Sequence, residues 1–115
     1  MTSPRILYFD IETFPMLAHV WNKFVDGPVV GIEREWTIAS IAWTWEGTSR
    51  VYTMDCRADV HDDVPLLVKL WELFDNADVI IGHNADRFDI RKVQARFLLE
   101  VFPPPSPFQI GRAHV

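Results

Sequence analysis

The sequence has a single cysteine, Cys56, and no long apolar run. One cysteine excludes an intramolecular disulfide, which suits a reducing compartment. The first residues, Met1 to Arg5, lead directly into a strand-like segment and lack the apolar stretch of a signal peptide. No segment approaches the roughly 20 apolar residues that cross a bilayer. These absences predict a cytoplasmic protein without a membrane partner.

Positive charge is also scarce. Eleven Lys and Arg stand against 16 Asp and Glu, for a formal net charge of −5. This balance argues against a protein that grips nucleic acid through a broad basic surface. It does not exclude a nuclease, because an acid-rich site that binds divalent cations inverts the local field. The candidates for phosphate contacts are Lys23, Arg34, Arg87, Arg91, Lys92 and Arg96.

The chain is long enough for one domain with a core, since 49% of its 115 residues are hydrophobic. Apolar alternation and helical periodicity predict a fixed order of elements. This order is a strand at 6–9, a β-like stretch at 17–21, a Gly/Pro loop around 26–31, a hairpin of 37–45 with 50–54, a helix opened by Asp62 and Asp63, a strand at 78–81 and a helix at 87–101. The strand at 78–81 can pair parallel to the first through a helical crossover. The sequence therefore predicts one α/β domain with a mixed sheet and packing helices.

Two acids follow the first apolar segment, in Leu7-Tyr8-Phe9-Asp10-Ile11-Glu12-Thr13. Side chains alternate along a strand, so Asp10 and Glu12 point to the same side of the sheet. Carboxylates held close together repel unless a cation lies between them, and hard divalent cations prefer oxygen ligands. This pattern predicts that Asp10 and Glu12 are metal ligands, although strand-ending acids are often simply hydrated.

A second polar segment follows the strand at 78–81, in the order Gly82-His83-Asn84 and then Phe88-Asp89. Parallel pairing with the first strand brings this loop near Asp10. Asp89 then falls in the first turn of the last helix. Asp86 is an additional acid, which we interpret as the N-cap of that helix.

Asp10-Ile11-Glu12, followed by Gly82-His83-Asn84 and Phe88-Asp89, resembles the first two motifs of the DEDD (DnaQ-like) exonucleases of the ribonuclease H-like superfamily, most like those of bacteria and phages. The resemblance implies a ribonuclease H-like fold and a two-metal 3′–5′ exonuclease that uses Mg²⁺ or Mn²⁺. It implies that Asp10 binds both metals, that Glu12 binds one and orients the attacking water, and that Asp89 supplies a third carboxylate. Asn84, with His83 and Thr13, would bind the substrate, a single-stranded or 3′-ended DNA or RNA.

The family's third motif, a fourth Asp preceded by Tyr or His, is not found before Val115. Residues 110–115 also resemble the translation of a sequencing-library adapter. We therefore expect a partial exonuclease domain at 1–109 and a non-native tail at 110–115. We further expect this chain to have little or no activity by itself.

Two other functions fit parts of the pattern. A haloacid-dehalogenase-like phosphatase also ends its first strand in an acid pair near a Thr, although its second acid is normally Asp. A non-catalytic ribonuclease H-like module would bind nucleic acid without metal.

The five tryptophans divide into two groups. Trp43, Trp45 and Trp71 lie on stripes that face the expected core. Trp21 and Trp36 are the better candidates for stacking on bases.

Overall fold

The computed structural model describes residues 3–21, 29–57, 61–83 and 88–111. Five strands form one mixed sheet in the order β5-β4-β1-β6-β7. They are β1 (Ile6–Phe14), β4 (Thr37–Trp45), β5 (Tyr52–Asp55), β6 (Val79–Gly82) and β7 (Gln109–Ile110). Two strands, β2 (Leu17–Val20) and β3 (Val29–Arg34), pair in a separate antiparallel ribbon. The helices are α1 (Val64–Asn76) and α2 (Phe88–Leu99).

The centre of the sheet is β1, which pairs antiparallel with β4 and parallel with β6. The parallel register aligns Phe9 with Gly82, so β6 ends beside the middle of β1. The chain reaches β6 through α1, as the predicted crossover requires. The predicted fold class is confirmed: this is a mixed α/β sheet with two helices, consistent with a fragment of a ribonuclease H-like fold.

The core lies between the sheet and the helices. Leu7, Phe9 and Ile11 alternate along β1 and are all buried. The ring of Phe74 in α1 is the centre of an aromatic cluster, with centroids 5.3 Å from Phe9, 5.8 Å from Phe97 and 5.4 Å from Phe108. Burial of these apolar side chains fixes the two helices on one side of the sheet. Trp43, Trp45 and Trp71 are partly buried against the same core.

Asp63 differs from its predicted role as an acid at the start of α1. It occupies the N-cap position but makes no side-chain cap bond. Its carboxylate instead accepts hydrogen bonds from Arg96 Nε (2.9 Å), Arg96 Nη2 (2.8 Å) and the backbone N–H of Ile38 (2.9 Å). Asp63 and Arg96 are 1% and 4% exposed. Arg96 is therefore removed from the candidates for phosphate contacts, because its guanidinium joins α2 to α1 and β4 inside the protein.

Three local features depart from the sequence interpretation. Residues 29–34, read in part as a Gly/Pro loop, form β3. The short strand β7 follows the proline segment and extends the sheet beyond β6. Helix α2 ends at Leu99 rather than near Val101, which adopts a positive φ of 60°. Backbone bonds from Phe102 N to Phe97 O and from Val101 N to Leu98 O close this helix end as a Schellman motif.

Candidate functional site

Asp10 and Glu12 lie on the side of β1 that faces away from the helices. The neighbouring residues Phe9 and Ile11 are buried, whereas Asp10 is half-buried and Glu12 is exposed. Asp10 pairs with Ala42 and Glu12 pairs with Ser40, and a register irregularity follows between Glu12 and Thr13. The prediction that both acids point to one side of the sheet is confirmed. Glu12 is therefore open to a ligand that approaches this side, and Asp10 is partly accessible from it.

A cleft of about 230 Å³ opens on the same side of the sheet. Its walls come from β1, β4, β6 and the segment before β5, namely Tyr8, Phe9, Asp10, Ala42, Trp43, Thr44, Val51, Ile81, Gly82 and His83. The backbone N–H of His83 donates to the carbonyl of Phe9 at 3.0 Å, which fixes the end of β6 beside Asp10. The predicted approach of Gly82 and His83 to Asp10 is therefore confirmed. The His83 side chain itself is exposed.

One oxygen of Asp10 is in an unusual environment. Oδ1 is buried and accepts no hydrogen bond from the residues that the structure describes. An unsatisfied buried acceptor costs about 1–3 kcal/mol, and more when the group is charged. The surrounding cleft wall is largely apolar, so nothing described there offsets this cost. A cation or a hydrogen-bond donor bound in the cleft would do so.

Asp89 lies in the first turn of α2 and is 2% exposed. Negative charge at this end of a helix is stabilised by the macrodipole. The helical spacing places Asp89 on the stripe of Val93 and Phe97, which packs into the core on the helix side of the sheet. Asp10 and Glu12 point to the other side. Accordingly, no three His, Cys, Asp or Glu side chains within the described ranges form a group that could enclose a metal ion.

The structure describes only some of the remaining candidate residues. Asn84 and Asp86 lie outside the described residues, as do Lys23 and Arg87. Thr13 is half-buried beyond the irregularity in β1.

Three of the basic candidates lie in the described ranges outside the core. Arg34 and Arg91 are exposed. Lys92 places its ammonium 5.3 Å from the ring of Trp36. A cation at this distance is attracted to the face of the indole, so Trp36 has a cationic neighbour on α2.

Sequence reasoning missed Tyr8 as part of this surface. The Tyr8 hydroxyl donates a hydrogen bond of 2.5 Å to Glu46 Oε2, and this bond to a carboxylate raises the pKa of Tyr8 above its usual value. The alternation that places Asp10 outside the core also places Tyr8 there, which was a usable signal. No sequence signal indicated its partner Glu46, which lies 38 residues away.

None of the helices within the described ranges has the length and apolar character to span a membrane. No protein-family model matches the sequence, and no curated protein matches it. The fold is similar to that of a solved structure, the family B DNA polymerase from the hyperthermophilic archaeon Pyrobaculum calidifontis, with a TM-score of 0.59 and 19% sequence identity. The match covers 89% of this chain and 12% of the polymerase chain. At this identity the similarity shows the fold alone.

Proposed function

We propose that this chain is part of a metal-dependent 3′–5′ exonuclease that hydrolyses phosphodiester bonds of DNA or RNA. The observation that carries the proposal is the buried Oδ1 of Asp10, which accepts no hydrogen bond from the described residues and lies on the same side of β1 as Glu12, in a residue that lines an open cleft. The fold similarity to a DNA polymerase supports an enzyme that acts on nucleic acid. The order of the motifs from Asp10 to Asp89 supports the exonuclease class.

The donor set fits Mg²⁺ or Mn²⁺, which take hard oxygen ligands. Magnesium commonly binds through one or two carboxylates together with water and substrate phosphate, rather than inside a cage built only from protein. Asp10 and Glu12 meet that requirement from a single strand. The missing third neighbour is therefore compatible with a site that is completed by the substrate.

We assign separate roles to the three acids. Asp10 holds the cations at the rim of the cleft, and Glu12 holds one of them and orients the water. We assign the third carboxylate to Asp89 from its position in the second motif, although its buried side chain packs on the helix side of the sheet. A pair of bound divalent ions supplies an activated water and stabilises the leaving oxygen. Removal of any one of these carboxylates should then reduce the rate by orders of magnitude.

The substrate contacts belong to the loop after β6 and the end of β1. His83 already lies beside Asp10, so its imidazole can donate to a phosphate oxygen in the cleft. We assign Asn84 and Thr13 to the same task on the basis of their positions in the motifs. We assign a single-stranded 3′ end as the substrate on the basis of the motif resemblance.

The experiment is a cleavage assay on a version of the protein extended through the fourth carboxylate. We expect a 5′-labelled oligonucleotide to be shortened from its 3′ end in Mg²⁺, and EDTA or Asp10→Ala to abolish the reaction. Glu72→Gln, an exposed acid on α1, is the matched control and should retain full activity. Continued degradation by Asp10→Ala would refute the assignment. Binding of the oligonucleotide by the extended protein with no cleavage in Mg²⁺ would indicate the non-catalytic module, and a phosphate trapped on Asp10 would indicate the phosphatase.

A further inference from the structure

The ribbon of β2 and β3 is a second surface that has no role in the carboxylate site. Its two strands pair with each other and not with the five-stranded sheet. Its exposed apolar side chains are Leu17, Val20, Val29, Val30 and Ile32. A two-stranded ribbon is at best marginally stable in water, and an exposed apolar surface of this kind usually marks a binding site. These two properties indicate that the ribbon is a binding surface.

Trp21 follows directly after β2 and is 82% exposed. The other four tryptophans are all half-buried. Tryptophan side chains are highly buried on average, so an indole this open to solvent is unusual. Its large flat face is accessible to a planar ligand.

The backbone around Trp21 leaves room for such a ligand. Trp21 follows the last residue of β2, beyond an irregularity in the register with β3 between His19 and Val20. His19 pairs across the ribbon with Gly31, where an added Cβ would meet no atom within 4 Å. Beside Trp21 the ribbon thus presents bare glycine backbone and the His19 imidazole, whose Nε2 lies 3.3 Å from Glu33 Oε2. Ile32 points to the other side from Gly31, and Val30 lies at the register irregularity.

The ribbon is also continuous with the proposed catalytic strand. β1 carries Glu12, ends at Phe14, and passes into β2 after Pro15 and Met16. The ring of Phe14 packs on His61 with centroids 4.5 Å apart, which anchors the base of the ribbon on the main domain. A chain bound along the ribbon is therefore held by an element that leads directly to the carboxylates.

We propose that Trp21, at the end of β2, is a stacking platform for single-stranded nucleic acid, which holds the strand whose 3′ end enters the Asp10 cleft. The inference rests on the proposed function and adds the substrate-holding element to it. Bases stack on aromatic side chains without sequence preference. The charged residues described on the ribbon are Glu33, which contacts His19 at 3.3 Å, and Arg34, so the ribbon presents no cluster of positive charge among the described residues. Stacking rather than phosphate contact is therefore the source of affinity, and the binding depends only weakly on salt.

The test is a fluorescence titration of the 115-residue chain with an oligothymidylate of about 15 nucleotides, within the range of known single-strand sites. EDTA is present throughout, so the result does not depend on metal. We expect quenching of tryptophan emission in the wild-type chain, with little change in affinity between low and moderate salt. Trp21→Ala should weaken binding about 5- to 150-fold, which is the change expected for loss of one stacked base. Trp21→Phe should recover part of the affinity.

Val30→Ala is the matched control, since it removes an exposed apolar side chain from the other strand of the ribbon, β3. It should bind the oligonucleotide as the wild type does. Equal binding by Trp21→Ala and wild type would overturn the proposal, as would absence of binding by the wild-type chain. Concentration-dependent self-association that Val30→Ala abolishes, without oligonucleotide binding, would instead identify the ribbon as a protein interface. Failure of the proposed function would appear separately, as a cleavage assay unaffected by Asp10→Ala.

Discussion

Replacement of Arg96 by Met tests the buried ion pair that holds the helices to the sheet. Arg96 and Asp63 have side chains that are 5% and 2% exposed, and their closest N–O distance is 2.8 Å. The substitution keeps the length of the side chain and leaves the carboxylate of Asp63 with the Ile38 backbone N–H as its one remaining donor among the described residues. Breaking a buried pair by removal of one partner costs about 3–5 kcal/mol, because an uncompensated charge stays in the core.

The assay is urea unfolding at neutral pH, followed by circular dichroism. With a slope of about 1–3 kcal/mol per molar urea for a small domain, this loss lowers the midpoint by more than about 1 M. Glu100→Gln is the control, because Glu100 also contacts Arg96 at 2.8 Å but its side chain is 38% exposed. A partly solvated pair contributes less than about 1 kcal/mol.

A second variant keeps the reasoning testable if Arg96→Met does not fold. Asp63→Asn removes the charge of the carboxylate and leaves Arg96 paired with Glu100. It should therefore destabilise the protein less than Arg96→Met does. If Arg96→Met destabilises the protein no more than Glu100→Gln does, the buried pair is not what joins these elements.

Three further predictions concern the aromatic core, the end of α2 and the proline segment. Phe74→Ala should lower the free energy of unfolding by about 3–5 kcal/mol in the same urea assay, because Phe74 is fully buried. Val101→Gly should stabilise the protein by about 1 kcal/mol, since a β-branched residue with φ 60° and 87% exposure carries backbone strain without packing; a loss of stability would contradict this. Hydrogen bonds from the side chain and then the backbone of Ser106 lower the pKa of Asp75 below its unfolded value of 3.8. The stability that these bonds contribute to the folded state is therefore present above pH 3.8, and it is lost as the pH falls through the folded-state pKa. Acid, or Asp75→Asn at neutral pH, should release the proline segment and change the emission of Trp71, which donates to Pro103 O at 2.7 Å.

Local alternation made much of the sheet predictable. The buried set of Leu7, Phe9 and Ile11 and the opposite set with Asp10 and Glu12 follow directly from the sequence. The crossover through α1 to β6 was also predictable, because parallel strands require a long connection. The aromatic residues of β4 fell on the core side as expected.

Long-range pairing was not predictable in the same way. The segment of β3 contains Gly31 and resembles a loop in sequence. It forms a strand because it pairs with β2. The pairing of Asp63 with Arg96 joins residues 33 apart that share no local pattern. The side to which Asp89 points depends on how Val93 and Phe97 rotate α2 against the core, which periodicity alone does not determine.

Manganese binding to the 115-residue chain tests the central claim most directly. Electron paramagnetic resonance of free Mn²⁺ measures binding without any need for catalysis. We predict that the wild-type chain removes Mn²⁺ from solution, that Mg²⁺ competes, and that Asp10→Asn weakens binding at least about tenfold, whereas Glu72→Gln has no effect. Unchanged Mn²⁺ affinity in Asp10→Asn, or no binding by the wild-type chain, would contradict the assignment of Asp10 as a metal ligand.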